Sequence, residues 1–172
     1  MNIKIQLNSA SIDAAIASIE SYQNSLKQRC AEFAKRMGEL GLDVVRAAYV
    51  GASYAGTNDI EVHLEFEDNK CKIVANGSTL GFIEFGTGVA YPLGEFAGQV
   101  NAPPHGTYGQ KRGATGNKWV YKGDPGNLGE PDSKRPGLVW TKGNPPANAF
   151  PKAVEAMKAE AERIAKEVFT FD

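Results

Sequence analysis

The stretch from residue 89 to 146 constrains this chain more than any other. It holds most of the 19 glycines and all but one of the nine prolines. A segment so composed cannot build a packed core of its own, and a connection of that length inside a compact domain is usually functional or disordered. It is not low in complexity. Tyr91, Phe96, Tyr108, Trp119, Tyr121 and Trp140 are spread through it, and both tryptophans of the protein are among them. Lys118-Trp119-Val120-Tyr121-Lys122 and Leu138-Val139-Trp140-Thr141 read as two sides of an extended hairpin about residues 123–137. Aromatics on such an arm are costly to leave in water, so the composition predicts burial against a partner.

The arm is framed by strongly periodic segments. Ile3, Ile5 and Leu7 share one face of a short opening strand. Ser11 and Asp13 suit a helix N-terminus, where their oxygens can serve unpaired N–H groups. Ile12, Ile16, Ile19, Leu26, Cys30, Phe33, Met37, Leu40 and Val44 then recur at spacings of three and four, with Gln23 as the one polar member of the series. That heptad-like stripe predicts a core-facing helix, or a helix pair if the polar cluster at residues 21–25 breaks it. Gly38 and Gly41 each lower helix propensity by about 1 kcal/mol, which suggests that another backbone comes close. Residues 60–66 alternate cleanly, residues 70–75 form a second apolar run, and Glu67-Asp68-Asn69 between them is a hairpin connector. Beyond the arm, Asn148 suits an N-cap and Pro151 a first helical turn. Phe150, Ala153, Val154, Met157, Ala161, Ile164, Ala165 and Val168 follow as one apolar stripe.

These readings give a single α+β domain over residues 1–172. A long N-terminal helix or helix pair and a C-terminal helix pack on a small, mainly antiparallel sheet. Residues 1–88 form the helix-and-sheet core, 89–146 the extended arm with its hairpin, projecting from one end, and 147–172 the closing helix. The length suits one core rather than two.

Composition excludes several classes. A formal net charge of −1 provides no global field to attract nucleic acid or an anionic membrane. No apolar run approaches the roughly 20 residues needed to span a bilayer, and the N-terminus lacks the apolar region of a signal peptide. Cys30 and Cys71 lie in apolar periodic settings that suit reduced core thiols. The two histidines, His63 and His105, lie far from either cysteine at any ligand spacing, so neither a metal nor a cofactor is expected. Residues 109–118 have the flavour of a phosphate loop but lack the Gly-Lys-Ser/Thr ending and the strand-to-helix setting. Lys111, Arg112 and Lys118 beside Tyr108 and Trp119 would suit a nucleic-acid backbone, yet Asp124, Glu130 and Asp132 dilute the patch.

Leu80-Gly81-Phe82-Ile83-Glu84-Phe85-Gly86-Thr87-Gly88 places one carboxylate among large apolar side chains and ends in glycines. A glycan hydrolase would need Glu84 paired with a second carboxylate, Glu95 or Asp59, across a cleft. The simpler expectation is that Glu84 caps or pairs with backbone where the sheet hands over to the arm.

The succession Gly56-Thr57-Asn58-Asp59, Phe82-Ile83-Glu84-Phe85-Gly86-Thr87-Gly88-Val89, Tyr91-Pro92, the glycine-basic stretch 106–116 and Tyr121-Lys122-Gly123-Asp124-Pro125-Gly126 resembles the neck or tail-completion (head–tail joining) proteins of long-tailed bacteriophages. So does the return through Gly143-Asn144-Pro145-Pro146-Ala147 into a helix ending Ile164-Ala165-Lys166-Glu167-Val168-Phe169. Here Ala149-Phe150-Pro151 stands where many relatives have a Pro-Phe pair. The resemblance implies a non-enzymatic virion structural protein, assembled in the bacterial cytoplasm, that forms a ring at the head–tail junction or the top of the tail. A hexamer is favoured, with a dodecamer as the alternative. The implied neighbours are head-connector and tail-tube or tail-terminator proteins, with genomic DNA passing through the lumen. Tyr91, Phe96, Tyr108, Lys111, Arg112, Trp119, Tyr121 and Trp140 are the expected interface. Phe82, Glu84, Phe85, Gly86, Thr87, Gly88 and Phe150 are the expected structural motif.

Overall fold

A computed structural model of the chain describes residues 8–67, 69–87, 89–90, 107–108 and 118–170. The opening strand expected at residues 3–7 lies outside them. The long stripe forms one unbroken helix, α1 (Ser9–Val50), of 42 residues, a rod about 63 Å long at 1.5 Å per residue. The polar cluster at 21–25 does not break it, because each polar side chain there can face water without disturbing the ladder. The helix starts earlier than Ser11 suggests: Asn8 is the N-cap, its side-chain oxygen accepting the Ser11 N–H at 2.9 Å. At the other end the Gly51 N–H closes the ladder on the Ala47 carbonyl at 3.0 Å.

Strands β1 (Glu61–Glu67) and β2 (Lys70–Asn76) pair antiparallel from Glu61↔Asn76 to Glu67↔Lys70. Val62 and Leu64 of β1 and Cys71 and Ile73 of β2 are half-buried, while Phe66 near the hairpin tip is exposed. The two α1 glycines explain how closely this hairpin can lie. A Cβ on Gly38 would come within 2.1 Å of the Cys71 sulfur, and one on Gly41 within 2.6 Å of Ile73 Cδ1 and 2.9 Å of Met157 Sδ. The close approach is therefore to side chains of two neighbouring elements rather than to another backbone.

A five-residue helix, α2 (Leu80–Glu84), follows β2. Short ribbons come next: β3 (Val89–Ala90) pairs with β4 (Thr107–Tyr108), and β5 (Trp119–Lys122), β7 (Leu138–Thr141) and β6 (Glu130–Pro131) form an antiparallel sheet in the order β5-β7-β6. The hairpin expected from residues 118–122 and 138–141 is present as β5 and β7, in register from Trp119↔Thr141 to Lys122↔Leu138. The third strand has no counterpart in the sequence pattern; Pro131 sits on its edge, where a missing N–H is tolerated.

The last helix, α3 (Ala149–Phe169), lies antiparallel along the second half of α1. Phe169 meets Phe33 with ring centroids 5.9 Å apart, Glu167 pairs with Arg36 at 2.6 Å, and the Arg29 guanidinium donates to the Val168 and Thr170 carbonyls at the end of α3. The core sits where the C-terminal end of α1, α2 and the start of α3 converge: Val45, Tyr49, Ala52, Ile83, Ala147, Ala149 and Ala153 are all buried. The mixed helix and antiparallel-sheet architecture is that of an α+β domain.

The core-facing expectation for the N-terminal part of the stripe fails. Ile12, Ile16, Ile19 and Leu26 are 37–49 % exposed. The reason is length: α3 ends against Arg29 and Phe33, so α1 projects beyond it.

Candidate functional site

The segment around Glu84 is built as a reciprocal clamp between α2 and the start of α3. A helix leaves its last carbonyls and first N–H groups without partners inside the helix. Here the Ile83 and Glu84 carbonyls accept the N–H groups of Ala147 and Asn148 at 2.8 and 3.2 Å. In return the Glu84 carboxylate accepts both free donors of α3, Ala149 N at 2.8 Å and Phe150 N at 3.2 Å, one on each oxygen. Pro151, next in line, has no N–H to satisfy, and Lys152 N already reaches the Asn148 carbonyl at 3.1 Å. Every donor of the first turn is thus accounted for. A negative charge at this end of α3 also complements the helix dipole.

Glu84 is 5 % exposed, so this is a buried carboxylate whose two oxygens both face N–H groups. The hydrogen bonds are those of the backbone-pairing reading. Asn148 occupies the N-cap position but does not cap: its φ of 50° is left-handed and its side chain makes no capping bond. Its Oδ1 is buried without a partner among the described residues, because Glu84 has taken the donors it would have served.

Tyr49 packs beneath the clamp. Burial, and then the nearby Glu84 charge, push its hydroxyl pKa well up, so the phenol keeps its proton. Its oxygen is buried and makes no hydrogen bond of normal geometry among the described residues.

Gly86 and Thr87 extend the clamp. Thr87 and Asn144 exchange backbone hydrogen bonds at 2.9 and 3.0 Å, and the Thr87 hydroxyl also accepts the Asn144 N–H. Gly86 has φ +74°, and a Cβ there would lie 2.6 Å from the Asn144 carbonyl oxygen. Only glycine satisfies both demands.

Contrary to a freely projecting arm, residues 118–146 are fastened to the body. Asn127 accepts the Tyr54 N–H on Oδ1 at 2.7 Å and donates Nδ2 to the Ala52 carbonyl at 2.9 Å. Asn144 Oδ1 accepts the Ala55 N–H at 2.7 Å. At Gly126, with φ +58°, a Cβ would lie 2.6 Å from the Tyr54 and Gly56 carbonyl oxygens. Neither asparagine stands out in the sequence, since each reads as an ordinary turn residue beside glycine or proline.

Between this fastened sheet and the clamp lies an open cleft of about 320 Å³, walled by Phe82, Thr57, Thr79, Thr87, Trp119 and Tyr121. Phe82 is 60 % exposed, and Phe85, at the end of the same short helix, 56 %. Val120 and Leu128 add further exposed apolar surface. Phe82 and Phe85 thus present exposed aromatic surface on a hydrogen-bonded support.

The expected interface residues divide. Trp119 and Tyr121 line the cleft. Trp140 is held within the sheet: its indole N–H donates to Asp132 at 3.0 Å and Arg135 lies over its ring at 5.7 Å. For Tyr108 the structure gives a backbone pairing with Val89. Tyr91, Phe96, Lys111, Arg112 and Gly88 lie outside the described residues, as do Glu95 and His105.

The other proposed chemistry is placed as follows. Asp59 accepts from the backbone N–H and hydroxyl of both Ser78 and Thr79, at 2.6–3.2 Å, and these bonds hold its carboxyl well below the usual range. Lys118 pairs with Glu130 at 2.7 Å. His63 lies on the exposed face of β1 with Glu65 at 3.7 Å. Cys30 and Cys71 are free thiols, and burial pushes the Cys71 thiol up. Comparison with protein families, with curated proteins and with solved structures finds no match for this chain.

Proposed function

We propose that this chain is a non-enzymatic structural subunit that assembles into a ring, and that the ring serves the head–tail junction or upper tail of a long-tailed bacteriophage. The observation that carries the assembly half is the exposed Phe82 and Phe85 pair on the hydrogen-bonded Glu84 clamp, beside the Trp119 and Tyr121 cleft. A neighbour that covers these rings removes apolar surface worth about 25 cal/mol per Å². The clamp keeps the ordering cost of doing so low. Short β3–β4 and β5-β7-β6 ribbons offer further main-chain edges for strand addition. A heterologous contact of this kind, repeated by rotation, closes a ring. The phage setting rests on the resemblance of the Phe82–Val89 motif, the glycine-rich arm and the closing helix.

The hydrolase reading gains little from the geometry. Both oxygens of Glu84 are occupied by the Ala149 and Phe150 N–H groups, and both of Asp59 by Ser78 and Thr79, so neither carboxylate has an oxygen left over for a substrate.

The test is the solution mass of the full chain and of Phe82→Ser/Phe85→Ser by light scattering. The full chain is expected as a multimer, and the double variant, altered only at exposed positions, as a smaller species with the same thermal midpoint. Equal masses would remove these rings from the interface.

A further inference from the structure

The N-terminal part of α1 carries exposed apolar side chains separate from the aromatic cleft. Residues 9–28 extend about 30 Å past the end of α3, at 1.5 Å per residue. The stripe they bear has the strict alternation of four and three that defines heptad a and d positions, with Ile16, Gln23 and Cys30 at a and Ile12, Ile19 and Leu26 at d. The same seam continues through Phe33, Met37, Leu40 and Val44, and there α3 lies against α1. One continuous seam therefore has a partner in its second half and exposed isoleucines in its first. The usual objection to so short a coiled coil is helix nucleation, but here the folded domain already holds the helix.

We propose that this half-seam is filled by the same segment of other copies of this chain, parallel and in register. The polar a position selects the arrangement. In register, Gln23 lies opposite Gln23, so the two amides can bond to each other. In an antiparallel pair with matched apolar layers, Gln23 would be buried against Ile19. The flanks agree. The e positions carry Asp13, Glu20 and Lys27, while the g positions beside them carry Ala15, which is already buried, and Tyr22. In a parallel bundle none of the e-position charges meets a like charge at a g position. The antiparallel pair brings Asp13 to Lys27 but also Glu20 to Glu20.

Two full-chain variants test this. Ile16→Glu/Ile19→Glu places charges on the exposed seam away from the folded body. Its mass is expected to fall at least twofold, or its dissociation midpoint to rise at least tenfold, with the thermal midpoint of the body unchanged. Ile12→Cys in a Cys30→Ser background is expected to give, on mild oxidation, a disulfide joining the introduced thiols of two chains, mapped by peptide mass. Unchanged mass with no such link would overturn the proposal. A multimer that appears only after removal of residues 1–7 would also overturn it, since the chain's own N-terminus would then be the occupant. Loss of mass on Phe82→Ser/Phe85→Ser reports on the other surface, so failure of one does not imitate failure of the other.

Discussion

At the scale of single residues, Glu84 decides how the chain closes. One residue closes α2 with its carbonyl and starts α3 with its carboxylate, the latter across 65 positions of sequence. Glu84→Gln keeps an acceptor for one of the two N–H groups but turns a donor toward the other. The loss is expected to be about 2–3 kcal/mol. For a domain of this size that lowers the thermal midpoint by roughly 4–12 °C. A midpoint within about 1 °C of the parent, a shift too small for any lost hydrogen bond, would show that the clamp is not what holds the helices together.

Gly38 offers a second residue-level test, because two effects oppose each other there. Alanine gains about 1 kcal/mol of helix propensity but overpacks against the Cys71 sulfur, at about 1–3 kcal/mol. Gly38→Ala is expected to destabilise alone. In a Cys71→Ala background, calorimetry is expected to show the same change costing less by about 1 kcal/mol or more, the overpacking having been relieved.

At the scale of elements, carboxylates fasten the loops. Asp132 accepts from Arg135, from the Lys134 N–H and from the Trp140 indole. These bonds, Arg135 first, hold its pKa down to about 2. Asp59 is lowered in the same sense by Ser78 and Thr79. Both folded-state values lie below the unfolded value of about 3.9. Their stabilisation is therefore full above that value and is lost as pH falls toward the folded values. The thermal midpoint is expected to hold between about pH 7 and about pH 5 and to drop below about pH 4. Asp59→Asn/Asp132→Asn should start lower and fall less steeply.

Much of this level was legible in the sequence. The α1 stripe, the β1–β2 alternation, the β5–β7 hairpin and the α3 stripe all follow from periodicity, which local side-chain direction enforces. What was not legible depends on tertiary placement. Asn148 has the chemistry of an N-cap, yet Glu84 arrives from far along the chain and displaces it. Asn127 and Asn144 look like turn residues until the loop at 52–56 lies against them. Ile12 to Leu26 look like core because periodicity reports an apolar face, not whether α3 is long enough to reach it.

At the scale of the whole molecule, the body is hydrogen-bonded around Glu84, and two of its exposed apolar surfaces bear on assembly. Phe82 and Phe85 lie at the clamp, and the isoleucine seam lies on the projecting helix. Both are exposed in the single chain. In our proposal, copies of this chain cover both surfaces within one closed assembly. Native mass spectrometry of the full chain at micromolar concentration decides the matter. A single species of fixed subunit number, six being favoured, is the predicted result. A monomer, or an open-ended ladder of masses, would refute the closed assembly.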